Sequence, residues 1–165
     1  ELAAELGISA KVRFCGFLSQ PDLRELYATS HFFIHPSETP PDLNQEGIPN
    51  SVLEAMATGL PVLGTRHGGI PEAVEHGRGG LLVQERDFEA LSNAMKTLAR
   101  SGDGFREMGL LGSERVVAEF EIGAQVRQLE RYYDEATGFS LAAEPARTSV
   151  AAAPVESFSR HVAAE

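Results

Sequence analysis

Glu46 and Glu54 stand eight positions apart on either side of a helix start. A carboxylate offers about four lone-pair sites, enough to hold the hydroxyl groups of a polar ligand. Gly47 and Pro49 interrupt any helix between the two, so one carboxylate belongs to a loop and the other to the first turns of the helix. Gly47, Ile48, Pro49 and Asn50 lead into that helix, whose opening N–H groups lack intrahelical partners and suit an anion. A glycine pair, Gly68-Gly69, follows the next apolar run and precedes another helical stretch. Glycine lets a backbone approach a ligand closely and adopt positive φ. Together these segments can hold a polar ligand that carries phosphate. Each also has a plainer reading: Glu54 as the capping-box partner of Ser51, Glu46 as a solvated loop carboxylate, Gly68-Gly69 as a simple turn.

The remaining chemistry-bearing residues narrow the field. His67, beside Gly68, is a candidate phosphate or hydroxyl contact, with an ordinary loop histidine as the plainer reading. His31 and His35 can point the same way from one strand, but no third ligand follows at a sensible spacing, so neither a metal nor a cofactor is expected. Cys15, the single cysteine, rules out an internal disulfide framework and reads as a buried, inert thiol. No Ser-His-Asp or Cys-His arrangement stands out. The Walker pattern and the Gly-x-Gly-x-x-Gly fingerprint are both absent, against an NTPase or a nicotinamide domain. With 14 Lys plus Arg against 24 Asp plus Glu, the 165-residue chain carries a formal charge of -10. Its field repels nucleic acid, and no basic cluster offsets it, so no nucleic-acid partner is expected. No apolar run reaches the roughly 18 residues that span a bilayer, and no signal peptide is present, so a cytoplasmic setting is expected.

Short strands alternating with helices must position these residues. The opening Glu1 to Gly7 reads as the second half of an amphipathic helix in a chain cut from something longer. Val12-Arg13-Phe14-Cys15 predicts a first strand, His31 to His35 a second covered on both faces, Pro61 to Gly64 a third and Leu81-Leu82-Val83 a fourth. Pro21 opens a helix carrying Leu23, Leu26 and Tyr27. The loop from Pro36 to Pro49 holds four prolines and a glycine, and Asn50 or Ser51 can cap the helix that runs to Ala57 and ends at Gly59. A short helical stretch runs to Val74. Asp87 can cap a helix with Phe88, Leu91, Met95 and Leu98 on one face. Phe105, Met108 and Val116 mark another, and Ile122, Val126, Leu129 and Tyr133 a third. The pattern implies an α/β fold with a parallel sheet over residues 1–136 and a flexible tail over 137–165. Four strands are few for such a fold, which points to a domain lacking its N-terminal part.

The segments Pro36-Ser37, Glu46 to Ala57, Gly59-Leu60-Pro61-Val62, Gly68-Gly69-Ile70-Pro71-Glu72 and Gly77 to Val83 closely resemble the group 1 (family 4) retaining glycosyltransferases. Val12 to Leu18 resembles a strand and loop of the same family, and the likeness runs in order from about Glu1 to Tyr133. It implies a partial Rossmann-like sheet, the C-terminal half of a GT-B enzyme. Glu46 then resembles the first glutamate of the family's Glu-x7-Glu motif, a catalytic residue at the donor hexose near the reacting carbon. Glu54 resembles the second, which holds the ribose hydroxyls. Gly47, Ile48, Pro49, Asn50 and Ser51 would serve the sugar and distal phosphate, and His67, Gly68 and Gly69 the loop that closes the nucleotide pocket. The implied partners are a nucleotide diphosphate sugar, a saccharide or lipid-linked acceptor in the full-length enzyme, and an N-terminal domain missing here. Through that enzyme the chain can also be membrane-associated.

The resemblance also says what is lacking. The family holds the donor diphosphate with an Arg and a Lys after the first strand of this domain. That strand, its loop and the second strand have no counterpart here. The gap is expected between Val12–Cys15 and the His31–His35 strand. Lys11 and Arg13 sit at the wrong end of their strand to substitute, and the isolated chain is expected to be inactive. Two other readings stay open: a nucleotide-sugar epimerase of GT-B type, and a non-catalytic nucleotide-binding or interaction fragment.

Overall fold

A computed structural model describes residues 1–43 and 45–138; the expected tail, beyond Thr137 and Gly138, lies outside them. These residues divide into two units, Glu1–Gln125 and a second that begins at Val126. The first holds a sheet of three strands in the order β1-β2-β3: β1 (Phe33–His35), β2 (Val62–Thr65) and β3 (Gly80–Val83). Phe33 lies opposite Val62, and Val62 opposite Gly80, both pairings parallel. Parallel strands need crossover connections, which α3 (Asn50–Ala57) and α4 (Ile70–Ala73) supply. The α/β parallel fold read from the sequence is the observed one.

The first unit also holds α1 (Leu2–Glu5), a 3-10 turn (Ser9–Lys11), α2 (Gln20–Thr29), α5 (Phe88–Arg100) and α6 (Gly104–Glu119), and α7 (Ile122–Thr137) runs from it into the second unit. Local chemistry sets their ends. Ser19 precedes α2 with its hydroxyl 2.5 Å from the Asp22 carboxylate. The Asp87 carboxylate accepts the Ala90 N–H at 2.8 Å and caps α5. Gly59, at φ +79, closes α3: its N–H donates to Met56 O and that of Leu60 to Ala55 O, the Schellman pattern that only a left-handed residue completes without strain.

The core sits between α3 and the sheet. Val52, Met56, Val62, Ile70, Ala73, Val74 and Leu82 form one buried cluster, with Val116 and Phe120 packed against it. All four β2 residues are buried, which marks β2 as the strand covered on both faces. Buried glycines let α6 come close. A Cβ on Gly109 would collide with the Gly59 carbonyl oxygen, and one on Gly112 would lie 3.3 Å from the Gly79 Cα.

Several expectations need correcting. Val12–Cys15 joins no ladder among the described residues, so the sheet has three strands rather than four. Apolar character suits a strand, but only a neighbouring strand supplies hydrogen bonds, and β1 pairs with β2 alone. Phe14 and Phe17 are left exposed and Cys15 only half-buried, so the thiol is not the buried one expected. The second strand is shorter than His31–His35 and half-buried throughout. The Ser51–Glu54 capping box does not form: no side chain caps α3, whose N-cap is Pro49. Pro49 already accepts the Val52 N–H through its carbonyl, which puts Ser51 inside the helix instead of at its cap. In α5 only Leu98 is buried, and Phe88 is exposed. On α7, Ile122, Val126, Leu129 and Tyr133 recur at helical spacing and are all exposed.

Candidate functional site

The loops that follow β1 and β2 meet at the carboxyl edge of the sheet, the usual ligand edge of such folds. Glu46 and Gly47 are exposed in the first loop, Ile48 is half-buried and Pro49 buried, and Asn50 and Ser51 begin α3. Glu54 lies one turn further on, exposed. Its carboxylate reaches Tyr27 electrostatically: burial first, and Glu54 second, push the Tyr27 phenol above its ordinary value.

Gly68 and Gly69 pack directly on this backbone. The Gly69 N–H donates to Gly47 O at 3.2 Å. A Cβ on Gly69 would sit 2.7 Å from both Gly47 C and Ile48 N, and one on Gly68 would collide with the Glu46 carbonyl oxygen. Gly68 also holds φ +49, in the left-handed region. The glycine pair is therefore more than a turn, since it seats one loop on the other. Gly69→Ala is expected to cost about 1–3 kcal/mol through overpacking against backbone that cannot yield, read as a lowered chemical-denaturation midpoint. Stability equal to the wild type would show that the loops can part without loss.

His67 does not stand open beside them. It is 3% exposed, and its Nδ1 lies 3.0 Å from Glu85 Oε1 and 3.3 Å from Thr39 Oγ1. A carboxylate only accepts, so Nδ1 carries the proton and Nε2 is the one ring nitrogen left for a ligand. Glu85 also accepts the Thr39 N–H at 2.8 Å and the Thr39 hydroxyl at 3.1 Å. One carboxylate after β3 thus joins the loops after β1 and β2. Thr39 and Glu85 were not legible in the sequence as site residues, because they are 46 positions apart and belong to no local motif.

The Thr39 N–H, first, and His67, second, hold the Glu85 carboxyl below the usual range. A depressed folded value means stability that is present above the unfolded glutamate value of about 4.3 and lost as pH falls through the lower folded one. Thermal midpoints followed from pH 6 down to 3 should therefore lose in the wild type a component that Glu85→Gln lacks. Parallel curves for the two proteins would contradict this.

His31 and His35 have aromatic neighbours. The His31 ring sits 6.1 Å from that of Phe105, and His35 stacks on Phe33 at 5.9 Å. No group of three His, Cys, Asp or Glu among the described residues is placed to hold a metal. No helix among them is long and apolar enough to cross a membrane.

Known proteins resemble this chain in sequence and fold. The amylovoran biosynthesis glycosyltransferase AmsK of Erwinia amylovora is 36% identical over 118 residues, 72% of this chain and 29% of that protein. Sucrose-phosphate synthase from Thermosynechococcus elongatus superposes with a TM-score of 0.73 at 29% identity, over 84% of this chain and 33% of that one. Anabaena HepE, solved in complex with UDP, gives 0.72 at 26% identity over 81% of this chain and 35% of its own. The chain thus spans about a third of the length of these proteins. The family model for group 1 glycosyl transferases matches residues 1–101. A match over this share of its length shows that the chain belongs to the group 1 glycosyl transferases.

Proposed function

We propose that this chain is the donor-binding part of an enzyme that transfers a hexose from a nucleotide diphosphate sugar to a hydroxyl of a saccharide or lipid-linked saccharide, with retention at the anomeric carbon. The observation that carries this reading is the seating of Gly68–Gly69 on the Glu46–Ile48 backbone, beside a helix start that no side chain caps. Such a start offers N–H groups and a positive dipole end to a phosphate. HepE, a relative in fold, was solved with UDP, which supports the nucleotide half of the proposal.

In this reading Glu54 holds the ribose hydroxyls, and the amides from Gly47 to Ser51 face the sugar and the distal phosphate. Glu46 orients the hexose and stabilises positive charge developing at its anomeric carbon. It is not a nucleophile: the incoming hydroxyl attacks on the face from which the diphosphate departs, and a donor phosphate oxygen takes the proton. His67 supports the closing loop from beneath.

Residues 1–165 alone are expected to bind nucleotide sugars weakly and to transfer nothing. The family's basic pair for the diphosphate has no counterpart here, and a net charge of -10 opposes an anionic ligand. Each missing charge-assisted hydrogen bond is worth roughly 1.5–3 kcal/mol, so two weaken binding about a hundredfold or more. Calorimetry with a panel of nucleotide sugars, and NMR of the product made by the full-length protein, test both parts. Inversion at the anomeric carbon, or submicromolar binding by the isolated chain, would overturn them.

A further inference from the structure

We infer that Glu85 is a positioning residue for the donor loop, clasping the segment that carries Glu46 to the loop that carries Gly68–Gly69. The inference rests on the proposed reading of these loops as a nucleotide-sugar site. The stretch from Pro36 to Pro49 contains no helix or strand among its described residues, yet it must hold the Glu46 backbone in register with the glycine pair. A long irregular loop keeps one shape only where outside groups fix it.

The structure supplies such groups at both ends. Near the start, the Thr65 hydroxyl donates to Ser37 O at 2.5 Å, and Glu85 accepts both the N–H and the hydroxyl of Thr39. Near the end, Gly47 O accepts the Gly69 N–H. Glu85 is the member that reaches both loops, because it also takes the Nδ1–H of His67, the residue that immediately precedes the glycine pair. Three donors from two loops converge on one carboxylate.

A second, independent feature marks the same place. Arg86 lies in the left-handed region at φ +63, a conformation that a residue with a Cβ keeps only when its surroundings impose it. There its guanidinium donates to Glu38 Oε2 at 3.1 Å and to Thr39 O at 3.3 Å. The turn after β3 is thus bent so that two adjacent side chains both hold Thr39 of the donor loop, with Arg86 also reaching Glu38. Arg86 is exposed and holds Glu38 at the surface, where an ion pair contributes little. Glu85 is less exposed, at 26%, and carries the junction.

Hydrogen–deuterium exchange of residues 1–165, read by mass spectrometry, tests the clasp without any ligand. Glu85→Ala is expected to speed exchange of peptides covering 37–49 and 66–70 by about tenfold or more, while peptides of α5 stay unchanged. Glu85→Gln keeps an oxygen for the Thr39 and His67 donors and should restore most of the protection. Glu38→Ala, which removes only the exposed partner of Arg86, should leave both loops as in the wild type. If Glu85→Ala fails to fold, Thr39→Val removes one of the three donors and should give a smaller increase in the same peptides. Unchanged exchange in 37–49 on loss of Glu85 would overturn the inference, as would an increase spread evenly over α5.

NMR titration of the same variants with uridine, guanosine and adenosine diphosphates then separates the two ideas. Faster exchange together with about tenfold weaker binding of the diphosphate that the wild type prefers supports the clasp as a device of the donor site. Faster exchange with unaltered affinity leaves the clasp standing and counts against the nucleotide reading.

Discussion

Glu46→Gln in the full-length enzyme is expected to lower kcat for hexose transfer by about a hundredfold to a thousandfold, the scale seen when one group stabilising transition-state charge is removed. The substitution keeps the shape and hydrogen-bonding reach of the side chain but removes its negative charge. If Glu46 acts on charge that develops only as the anomeric bond breaks, ground-state binding should barely register the change, and the donor KM should move little. Glu54→Ala should behave in the opposite way. In the proposed reading it removes hydrogen bonds to ribose hydroxyls that are equally present before and during reaction, so the donor KM should rise about tenfold or more. Initial rates over a grid of donor and acceptor concentrations separate the two patterns. A Glu46→Gln enzyme with normal kcat and a raised KM would place this carboxylate in binding alone and remove the role proposed for it.

The second large effect concerns the helix that presents these groups. Met56→Ala is expected to destabilise the protein by about 2–5 kcal/mol, the range for emptying a fully buried site of this size. Met56 is wholly buried in the main core cluster. Its Cε lies within 3.2–3.5 Å of where Cβ atoms on Gly79 and Gly112 would be, so it fills the space that those glycines leave. No side chain on Gly79 or Gly112 can swing in to replace it, which favours the upper part of the range. Met56→Leu, nearly equal in volume, should cost less than about 1.5 kcal/mol. Urea unfolding of the two variants provides the comparison. A loss below about 1 kcal/mol in Met56→Ala would mean that α6 closes onto α3 and the cavity collapses. The same helix begins at the candidate phosphate site, so a loosened core should also weaken nucleotide binding in Met56→Ala before the protein unfolds.

Much of this was readable along the chain because its causes are local. Apolar spacing places α2, α3, α5, α6 and α7, and Asp87 and Gly59 mark a start and an end that the structure keeps. The β-branched and leucine-rich runs around Val62 and Leu82 suit strands wherever they lie, and the alternation of strand and helix alone implies parallel pairing. The proximity of Glu46 to the start of α3 at Asn50 follows from a separation of four residues in sequence rather than from packing.

What the tertiary structure decided depends on groups distant in the chain. Val12–Cys15 has the composition of a strand, but a strand exists only through a neighbour's backbone, and among the described residues it pairs with none. Cys15 and Phe14 are more exposed than their types suggest for the same reason. The capping box at Ser51 was lost to a backbone choice at Pro49 that shifts the helix start. Gly109 and Gly112 look like poor helix residues until α6 meets Gly59 and Gly79, where any Cβ on Gly109 would strike backbone. The junction of Thr39, His67 and Glu85 joins three loops whose residues share no sequence pattern. Only the register of three parallel strands, which sets where each loop leaves the sheet, brings one carboxylate within hydrogen-bonding distance of the other two residues.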